Sequence, residues 1–323
     1  MRMDCMVPVS VVIPTYNRTN VLFDTIRSIV SGKKKPSEVI VIDQTSPATV
    51  FPEDLKKMMT DGMLTVLHES IPSSTRSRNI GLRRASNDIV LFCDDDILVD
   101  ENTIEILYQR MRQKNILLVA GITKDENCLF GGNADSSIKS VFSTAIGLKK
   151  FWRKDGYVVR GSMRGRYAAA ISEPSKTEWA MGYFFCIKKS FCERNDLWFD
   201  EKLIRYAYAE DLDFTLRYCR AASNQHFQTI VDPTLYVDHL ASKEWRTPSR
   251  AAAFYTVINR RYLSYKIYPR RFWYRWFIKW SDKCWELFGC KTTEEKKNWH
   301  DAMVKCDQYT NALKDGDLNM VYE

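Results

Sequence analysis

The sequence predicts an α/β protein in which a mostly parallel sheet is flanked by helices, with a helical extension at the C-terminus. Two observations predict it. In the first half, short apolar runs rich in β-branched residues alternate with segments whose apolar residues recur at helical spacing. Beyond about residue 245 the composition changes, because the stretch from Arg246 to Lys279 holds nine basic residues, many aromatics and no acidic residue. We therefore expect a main domain over residues 1–245 and an extension over residues 246–323.

The predicted elements of the main domain follow one another in a βαβ rhythm, which predicts a right-handed, doubly wound sheet. The first helix, for example, carries Leu22, Ile26 and Ile29 on one face and ends at Gly32. Between residues 127 and 175 the alternation of strand-like and helix-like segments is absent, and glycines and charged residues predict loops and short strands there. A regular pattern returns at 179–188. The predicted strands are 9–14, 38–43, 63–68, 89–93, 117–122, 230–232 and 235–238, and the predicted helices are 19–31, 77–85, 103–113 and 211–222.

Length and composition are those of a soluble globular protein. The 323 residues are 45% apolar and 27% charged, with a formal net charge of +8. The nine cysteines form no C-x-x-C pair and only four histidines accompany them, which argues against a disulfide framework or a zinc site. We expect no secretory signal, because the first residues include Asp4 and no long apolar core. These features together predict a cytoplasmic protein with reduced cysteines.

Three consecutive aspartates, Asp94, Asp95 and Asp96, directly follow the apolar run 89–93. Such a run is typical of a buried strand in a parallel sheet. Adjacent carboxylates repel one another unless a cation neutralises them, and a divalent cation shared with substrate phosphates is the simplest candidate. In open α/β sheets, ligands bind beyond the carboxyl ends of the strands. The triplet therefore predicts a metal–nucleotide site; the alternative is a solvated acidic turn before the next helix.

Other polar residues are expected at the same edge of the sheet. The first strand runs into the polar segment 15–18, and Asp43 ends the next strand, where a carboxylate can accept hydrogen bonds from a base or ribose. Arg76 and Arg78 open a predicted helix, where guanidinium groups suit a phosphate. Taken alone, Asp43 is equally well explained as a turn residue, and each arginine as part of a solvated helix face.

Taken in order, these segments resemble the family 2 glycosyltransferases of the GT-A fold. Each motif is weak alone, but several in the same order and spacing are a specific signal. The resemblance extends over roughly residues 9–240 and implies the GT-A fold, sugar transfer with inversion, and a divalent cation, Mn²⁺ or Mg²⁺. One departure is Ala209, where the family often has glycine before its Glu-Asp pair. The matching segments are 11–18, 39–43, 77–81, 91–96, 182–189, 199–201 and 209–214.

The resemblance also assigns roles to individual residues. The aspartate triplet matches the D-x-D motif, with Asp96 as the direct metal ligand, and Asp211 matches the general base. Because Arg76 lies beside Arg78, it stays open which arginine meets the nucleotide. His239 is a candidate third metal ligand, although a structural histidine is equally expected there. The candidate metal ligands are Asp94, Asp96 and His239; the donor-binding residues are Pro14, Thr15, Tyr16, Asn17, Arg18, Asp43, Arg76, Arg78, Asn79, Asp94 and Asp95; the acceptor-side residues are Trp179, Gly182 and Glu210.

The expected function is therefore the transfer of a sugar from a nucleotide-sugar donor to an acceptor hydroxyl, in the assembly of a bacterial-type surface polysaccharide or another glycan. The chemistry agrees, because a cation can neutralise the leaving diphosphate while one carboxylate takes the proton of the acceptor. Two alternatives stay open: a sugar-nucleotide nucleotidyltransferase, and a non-catalytic glycan- or membrane-binding module. The first would need a glycine-rich phosphate loop where residues 15–18 have no glycine, and the intact aspartates argue against the second.

The extension is rich in aromatic and basic residues between Arg250 and Trp280. These residues could pack on the main domain, lie on an anionic membrane surface, or bind nucleic acid. We expect packing for some aromatics and membrane contact for others, since a lipid-linked glycan acceptor would be presented there, and we expect no nucleic acid. Within the main domain, residues 1–122 form the expected nucleotide-binding half and residues 123–245 the acceptor half. A cytoplasmic protein, peripheral on the inner face of the cell membrane, fits this expectation.

Overall fold

A computed structural model describes residues 6–123, 156–168, 171–204, 207–240 and 248–322. The N-terminal half of its central sheet consists of parallel strands that alternate with helices, which confirms the predicted βαβ rhythm. The predicted bounds are reproduced to within a few residues; helix α2 was not predicted. The elements are β1 (Met6–Thr15), α1 (Thr19–Ser31), β2 (Lys35–Asp43), α2 (Glu53–Thr60), β3 (Leu64–His68), α3 (Ser74–Arg84), β4 (Ile89–Cys93) and α4 (Thr103–Met111).

The second half of the sheet is mixed. The strand Phe184–Lys188 lies antiparallel between β4 and the strand Ile116–Thr123. The long strand Gln228–His239 then pairs with Ile116–Thr123 on its other side. The two short strands predicted at 230–232 and 235–238 are one strand with an irregular register between Val231 and Tyr236. The elements are β5 (Ile97–Val99), β6 (Ile116–Thr123), β7 (Val158–Val159), β8 (Arg164–Gly165), β9 (Ser175–Lys176), β10 (Phe184–Lys188), α5 (Lys189–Arg194), α6 (Glu210–Asn224) and β11 (Gln228–His239).

The resulting strand order is β3-β2-β1-β4-β10-β6-β11-β5, with β9 paired to β11. The central strands are covered on both faces, so their continuous apolar runs, such as Val11, Val12 and Ile13 in β1, are fully buried. Gly81 lets α3 approach this strand, because a Cβ at that position would lie 2.2 Å from Cγ1 of Val12. The carboxyl ends of β1, β2 and β4 therefore meet at one edge, as the aspartate triplet predicts.

The C-terminal extension is helical, as predicted, although the boundary near residue 245 lies outside the described residues. Its helices are α7 (Ser249–Ile267), α8 (Phe272–Cys284), which continues into a π-helical turn at Trp285–Gly289, α9 (Thr293–Gln308), α10 (Thr310–Asp315) and α11 (Asn319–Tyr322). Helix α7 is buried rather than exposed, with Val257, Ile258 and Leu263 in the core. None of the described helices has both the length and the apolar character needed to cross a membrane.

Two basic residues of the predicted tail are buried in this extension. The fully buried Arg260 donates to Asp282 Oδ1 at 2.8 Å, and Arg261 donates to Asp282 Oδ2 at 2.9 Å. Asp282 lies just beyond the stretch that lacks acidic residues, so the sequence count missed the carboxylate that neutralises them. The packing interpretation therefore holds for this part of the extension.

Candidate donor and metal site

The three aspartates occupy the turn between β4 and β5, at the carboxyl edge of the sheet. Asp95 and Asp96 are buried, whereas Asp94 is partly exposed. Thr15, at the end of β1, donates to Asp95 Oδ2 at 2.7 Å. Thr25 of α1 donates to the backbone carbonyl of Asp95 at 2.8 Å, so the turn is attached to both neighbouring elements. Short side chains on two elements thus hold the triplet in place.

Arg18 partly neutralises the triplet. Its Nη1 lies 3.1 Å from Asp95 Oδ1 and 3.0 Å from Asp96 Oδ2. Burial nevertheless raises the pKa of Asp95 to about 7, against the opposing effects of Arg18 and Thr15 and with the support of the two neighbouring carboxylates. Burial therefore makes the ionised form of Asp95 unfavourable even beside Arg18, and a bound metal ion would offset that cost.

His239 reaches the triplet through the sheet. The end of β11 pairs antiparallel with β5, which places His239 opposite Ile97. Its Nε2 lies 3.2 Å from Asp96 Oδ1, and its ring stacks on Tyr183 with centroids 5.7 Å apart. Burial opposes the charged imidazole, but the hydrogen bond and charge of Asp96 outweigh it and raise the pKa of His239.

These residues fit a divalent cation. One potential ligand atom from each of Asp94, Asp96 and His239 lies within 4.8 Å of the others. His239 Nδ1 is buried and has no hydrogen-bond partner among the described residues. Hydrogen bonds among these residues therefore account for only one of the two ring nitrogens, Nε2. Two carboxylates and an imidazole offer the oxygen and nitrogen ligands that Mn²⁺ accepts in proteins, with room for substrate oxygens.

Asp43 is buried at the end of β2, and both of its oxygens accept backbone hydrogen bonds from the following loop. The donors are Thr45 N at 2.9 Å and Thr49 N at 2.8 Å. Asn17 N in turn donates to Thr45 Oγ1 at 2.9 Å, so the loops after β1 and β2 hold each other. Asp43 therefore stabilises the turn after β2, as a turn residue does. The same hydrogen bonds fix its carboxylate at the edge of the sheet where the aspartate triplet lies. Pro14 lies opposite Ile42 in the β1–β2 ladder, two residues before Tyr16.

The two arginines that the sequence left undecided lie in different surroundings. Arg76 is partly exposed and donates to Glu69 at 3.0 Å. Arg78 is buried inside the site. Asn79 faces away from both, since its side chain donates to Phe199 O at 3.0 Å and to Glu201 Oε1 at 2.8 Å. Nearby positions on a helix point in different directions, so only one arginine of the pair faces the triplet.

Arg78 connects the donor edge to the acceptor side. Its Nη2 lies 2.9 Å from Asp94 Oδ1 and donates to the Gly182 carbonyl at 3.2 Å, while its Nη1 pairs with Glu210. A Cβ at Gly182 would lie 3.2 Å from this Nη2 and 3.4 Å from Cβ of Asp211, so a glycine there keeps the junction compact. The sequence suggested Arg78 only as a nucleotide ligand and gave no sign of its contact with Glu210.

Asp211 lies partly buried at the start of α6. Its Oδ2 accepts from Gly182 N at 2.9 Å, and its Oδ1 accepts from Leu212 N at 2.7 Å. Burial raises the pKa of this carboxyl, and the two backbone hydrogen bonds only partly offset that effect. Asp213, on the same turn, is instead held between Arg217 at 2.7 Å and Lys266 at 2.8 Å. Of the two aspartates, only Asp211 has no cationic side chain as an ion-pair partner among the described residues.

The residue before the Glu-Asp pair is under strain. Ala209 is the N-cap of α6 and has φ of 65° and ψ of 21°, in the left-handed region. A side chain in that conformation costs about 1–2 kcal/mol relative to glycine. Ala209 departs from the glycine that the family often has here, and the backbone at this position favours glycine.

Trp179 forms part of the wall behind the acceptor side rather than an open surface. It is buried, its Nε1 donates to Arg166 O at 3.3 Å, and its ring lies edge-on to Tyr167 at 5.5 Å. A Cβ at Gly165 would lie 2.2 Å from Cζ2 of Trp179, so the β7–β8 hairpin packs directly on the ring. Tyr183 was not singled out from the sequence; only its position after Gly182 pointed to it.

Comparison with known proteins agrees with this geometry. The family model described as glycosyl transferase family 2 matches residues 10–190, more than half of the chain. The chain therefore belongs to this family, as the resemblance predicts.

Two curated relatives show how far the similarity extends. The chain is 31% identical over 114 residues to the glycosyltransferase GlyG of Streptococcus pneumoniae serotype 4, which covers 35% of this chain and 38% of GlyG. It is 23% identical over 310 residues to the poly(ribitol-phosphate) beta-N-acetylglucosaminyltransferase TarP of Staphylococcus aureus strain N315, which covers 93% of this chain and 84% of TarP. The chain spans well under half of the length of GlyG and 16% of an uncharacterized glycosyltransferase of Rickettsia bellii.

Solved structures confirm the GT-A fold. GalNAc-T7, crystallised with UDP, GalNAc and Mn²⁺, aligns with a TM-score of 0.58 at 16% identity, covering 92% of this chain and 54% of that one. Residues 1–349 of S. aureus TarS, in complex with UDP-GlcNAc, align with a TM-score of 0.52 at 14% identity, covering 97% of this chain and 89% of that one. At such identities the likeness concerns the fold alone.

Proposed function

We propose that this glycosyltransferase is an inverting, divalent-cation-dependent enzyme that moves a sugar from a nucleotide-sugar donor to an acceptor hydroxyl. The observation that supports this most is the arrangement around one guanidinium. Arg78 pairs with Asp94 of the candidate metal group on one side and with Glu210 beside Asp211 on the other. A single in-line displacement needs charge neutralisation at the leaving diphosphate and a base at the acceptor, held at a short distance from each other.

Asp94, Asp96 and His239 would hold the cation, which when bound neutralises the charge that develops on the leaving diphosphate. The nucleoside would lie over the ends of β1 and β2. Asp43 suits a hydrogen bond from a base or ribose, because its carboxylate is already oriented by Thr45 N and Thr49 N. Arg18 and Arg78 would add positive charge beside the phosphates.

Asp211 would take the proton from the acceptor hydroxyl. Its raised pKa makes it a better proton acceptor than an ordinary aspartate. Its Oδ2 and Oδ1 are oriented by the amides of Gly182 and Leu212, so the carboxylate is positioned before the acceptor binds. With one base on the face opposite the leaving group, the transfer inverts the anomeric carbon.

For the donor, we propose a UDP-linked N-acetylhexosamine, because TarP carries beta-N-acetylglucosaminyltransferase in its name and TarS was crystallised with UDP-GlcNAc. For the acceptor, we propose a surface glycan or a lipid-linked glycan. We also propose a cytoplasmic location, peripheral on the inner face of the cell membrane.

The test is a donor screen on the full chain with Mn²⁺ or Mg²⁺, in which release of nucleoside diphosphate is measured with and without candidate acceptors. We expect UDP release from UDP-GlcNAc or UDP-GalNAc that depends on the cation, and NMR of the product should give an inverted anomeric centre. Formation of a sugar nucleotide and pyrophosphate from a sugar 1-phosphate and a nucleoside triphosphate would identify a nucleotidyltransferase instead. Donor binding without turnover for every acceptor would favour the non-catalytic module.

A further inference from the structure

The outer face of α8 carries a group of large apolar side chains in contact with solvent. Phe272, Trp273 and Trp276 are 60%, 67% and 64% exposed, and Leu287 and Phe288 at the end of the same helical run are 49% and 57% exposed. We call these five residues the aromatic face. Surface apolar residues that occur singly need no explanation, but two tryptophans and a phenylalanine within five residues of one helix indicate a contact surface.

The opposite side of α8 is fully used by the fold. Ile278 is buried, Ser281 and Asp282 are completely buried, and Asp282 pairs with both Arg260 and Arg261. Phe277 packs on Gly161, where a Cβ would lie 2.7 Å from its ring. The helix is therefore held in one rotational position by its inner side, and the aromatic face is turned outward because of that anchoring.

The charge beside the aromatic face is mainly positive. Between residues 248 and 293 the only acidic residues are Asp282 and Glu286, and both are buried. Arg270 and Arg271 lie exposed immediately before the helix. Lys279 and Lys283 are half-exposed on it, where Lys279 pairs with Asp307 at 2.8 Å and Lys283 pairs with Glu286 at 2.6 Å. The surface thus combines aromatic side chains with the two exposed arginines at the start of α8.

We propose that the aromatic face is a docking surface for an anionic lipid bilayer. Tryptophan is favoured at the boundary between headgroups and acyl chains, and each arginine or lysine near an anionic leaflet adds to the attraction. A second copy of this chain fits less well, because a two-fold contact through this face would bring the cations of both copies together. The cationic, aromatic helix face therefore matches a negatively charged, apolar-cored surface best.

Docking here would also orient the acceptor side. The β7–β8 hairpin contacts α8 through Gly161 and Phe277, and the same hairpin packs through Gly165 on Trp179, close to Gly182. A bilayer bound at the outer face of α8 would therefore lie against the helix whose inner side holds this hairpin next to the acceptor residues. The orientation rests on the proposed transfer reaction, and bilayer binding specifies the surface behind the proposed peripheral location.

The experiment measures binding of the full chain to vesicles without any sugar nucleotide. Vesicles of phosphatidylcholine are compared with vesicles that contain about one-third phosphatidylglycerol, at low ionic strength and in about 0.5 M salt. Binding is followed by co-sedimentation and by quenching of tryptophan fluorescence with brominated lipid. We expect binding to the anionic vesicles, weakened by salt, with tryptophan quenched.

Two double variants separate apolar from electrostatic contact. Trp273→Ser with Trp276→Ser should bind at least about tenfold more weakly, and so should Arg270→Glu with Arg271→Glu. The control is Lys56→Glu with Lys57→Glu, two exposed lysines on α2 in the nucleotide-binding half, which should leave binding unchanged. All four positions on the extension are largely exposed, so the melting temperature should stay that of the wild type, and this is checked for each variant.

Several results would overturn the proposal. Wild-type protein that ignores anionic vesicles at low salt, or variants that bind as well as the wild type, would each do so. Self-association that the tryptophan variants abolish, without vesicle binding, would assign the face to a second copy. Because no donor is present, these results are distinguishable from a failure of the proposed transferase chemistry.

Discussion

The donor edge and the C-terminal extension both bury charged side chains, but they balance the charge differently. In the extension, Asp282 is completely buried and each of its oxygens has an arginine partner, Arg260 or Arg261. At the donor edge, carboxylates outnumber the cationic groups among the described residues. The carboxylates there are Asp94, Asp95, Asp96, Glu210 and Asp211, and the cationic partners are Arg18, Arg78 and His239.

This difference in charge balance distinguishes buried charges that maintain the fold from buried charges that a ligand can stabilise. A buried charge with a full set of partners adds little net stability, but removing one partner is costly, as expected for a structural network. At the donor edge, burial raises the pKa of Asp95 and Asp211, so their ionised forms are held at a free-energy cost that a ligand can relieve. The buried charges of the extension are balanced by their own partners, whereas we propose that the donor edge is completed by a cation and a substrate.

The largest expected effect comes from removing that cation. EDTA should abolish transfer, and Mn²⁺ or Mg²⁺ should restore it, because the leaving diphosphate is no longer neutralised without a metal. Asp96→Asn should weaken metal-dependent donor binding, measured by calorimetry with and without the ion. Asp100→Asn, an exposed position just beyond the triplet, is the matched control and should behave as wild type. Full activity in chelator would contradict the metal site.

Next comes the base. Asp211→Asn keeps the shape but removes the proton acceptor, so turnover should fall by about 10² to 10⁴, while donor affinity changes little. In the wild type, burial raises the pKa of Asp211, so kcat/KM should fall on acidification at a higher pH than an ordinary aspartate would give.

Asp213→Asn distinguishes the two aspartates of that turn. It removes the partner of Arg217 and Lys266, so it should lower the free energy of unfolding and leave the turnover of folded protein nearly unchanged. If Asp211→Asn turns over normally and Asp213→Asn does not, the base has been misassigned.

In the extension, Asp282→Ala should act on stability alone. Arg260 would be left buried without its partner, which typically costs about 3–5 kcal/mol of unfolding free energy. Asp307→Ala removes a half-exposed partner of Arg261 and should cost about 1 kcal/mol or less. Urea unfolding gives both values. If donor binding per folded molecule also falls in Asp282→Ala, the two regions are coupled and the contrast between them fails.

The smallest effect is expected at the junction of the two halves of the site. Ala209→Gly should raise the free energy of unfolding by about 1 kcal/mol, because glycine adopts the left-handed conformation of the α6 cap without strain. Ala221→Gly, inside the same helix, is the control and should destabilise by about 1 kcal/mol. Destabilisation by both would show that the cap is not strained in solution.

Much of the fold of residues 6–123 was predictable from the sequence, because its signals are local. Apolar runs such as 89–93 define strands, helical spacing defines α1, and parallel strands bring their carboxyl ends to one edge. These local signals are enough to place the aspartate triplet and Asp43 at that edge, where both of them lie in the folded chain. The roles of the individual site residues remain predictions, to be tested by the substitutions above.

Only the tertiary structure decided which residues complete the site. His239 reaches Asp96 because β11 pairs with the short strand β5, and Arg78 meets Glu210 across 132 positions of sequence. It also decided that Arg260 and Arg261 are internal, whereas Trp273 and Trp276 face solvent. The periodicity of a sequence indicates whether a residue lies on the apolar or the polar side of its own helix or strand. It does not indicate which distant element packs over that residue. Long-range pairing and the burial it creates are properties of the whole packed chain, and they set the charge balance that separates the two regions.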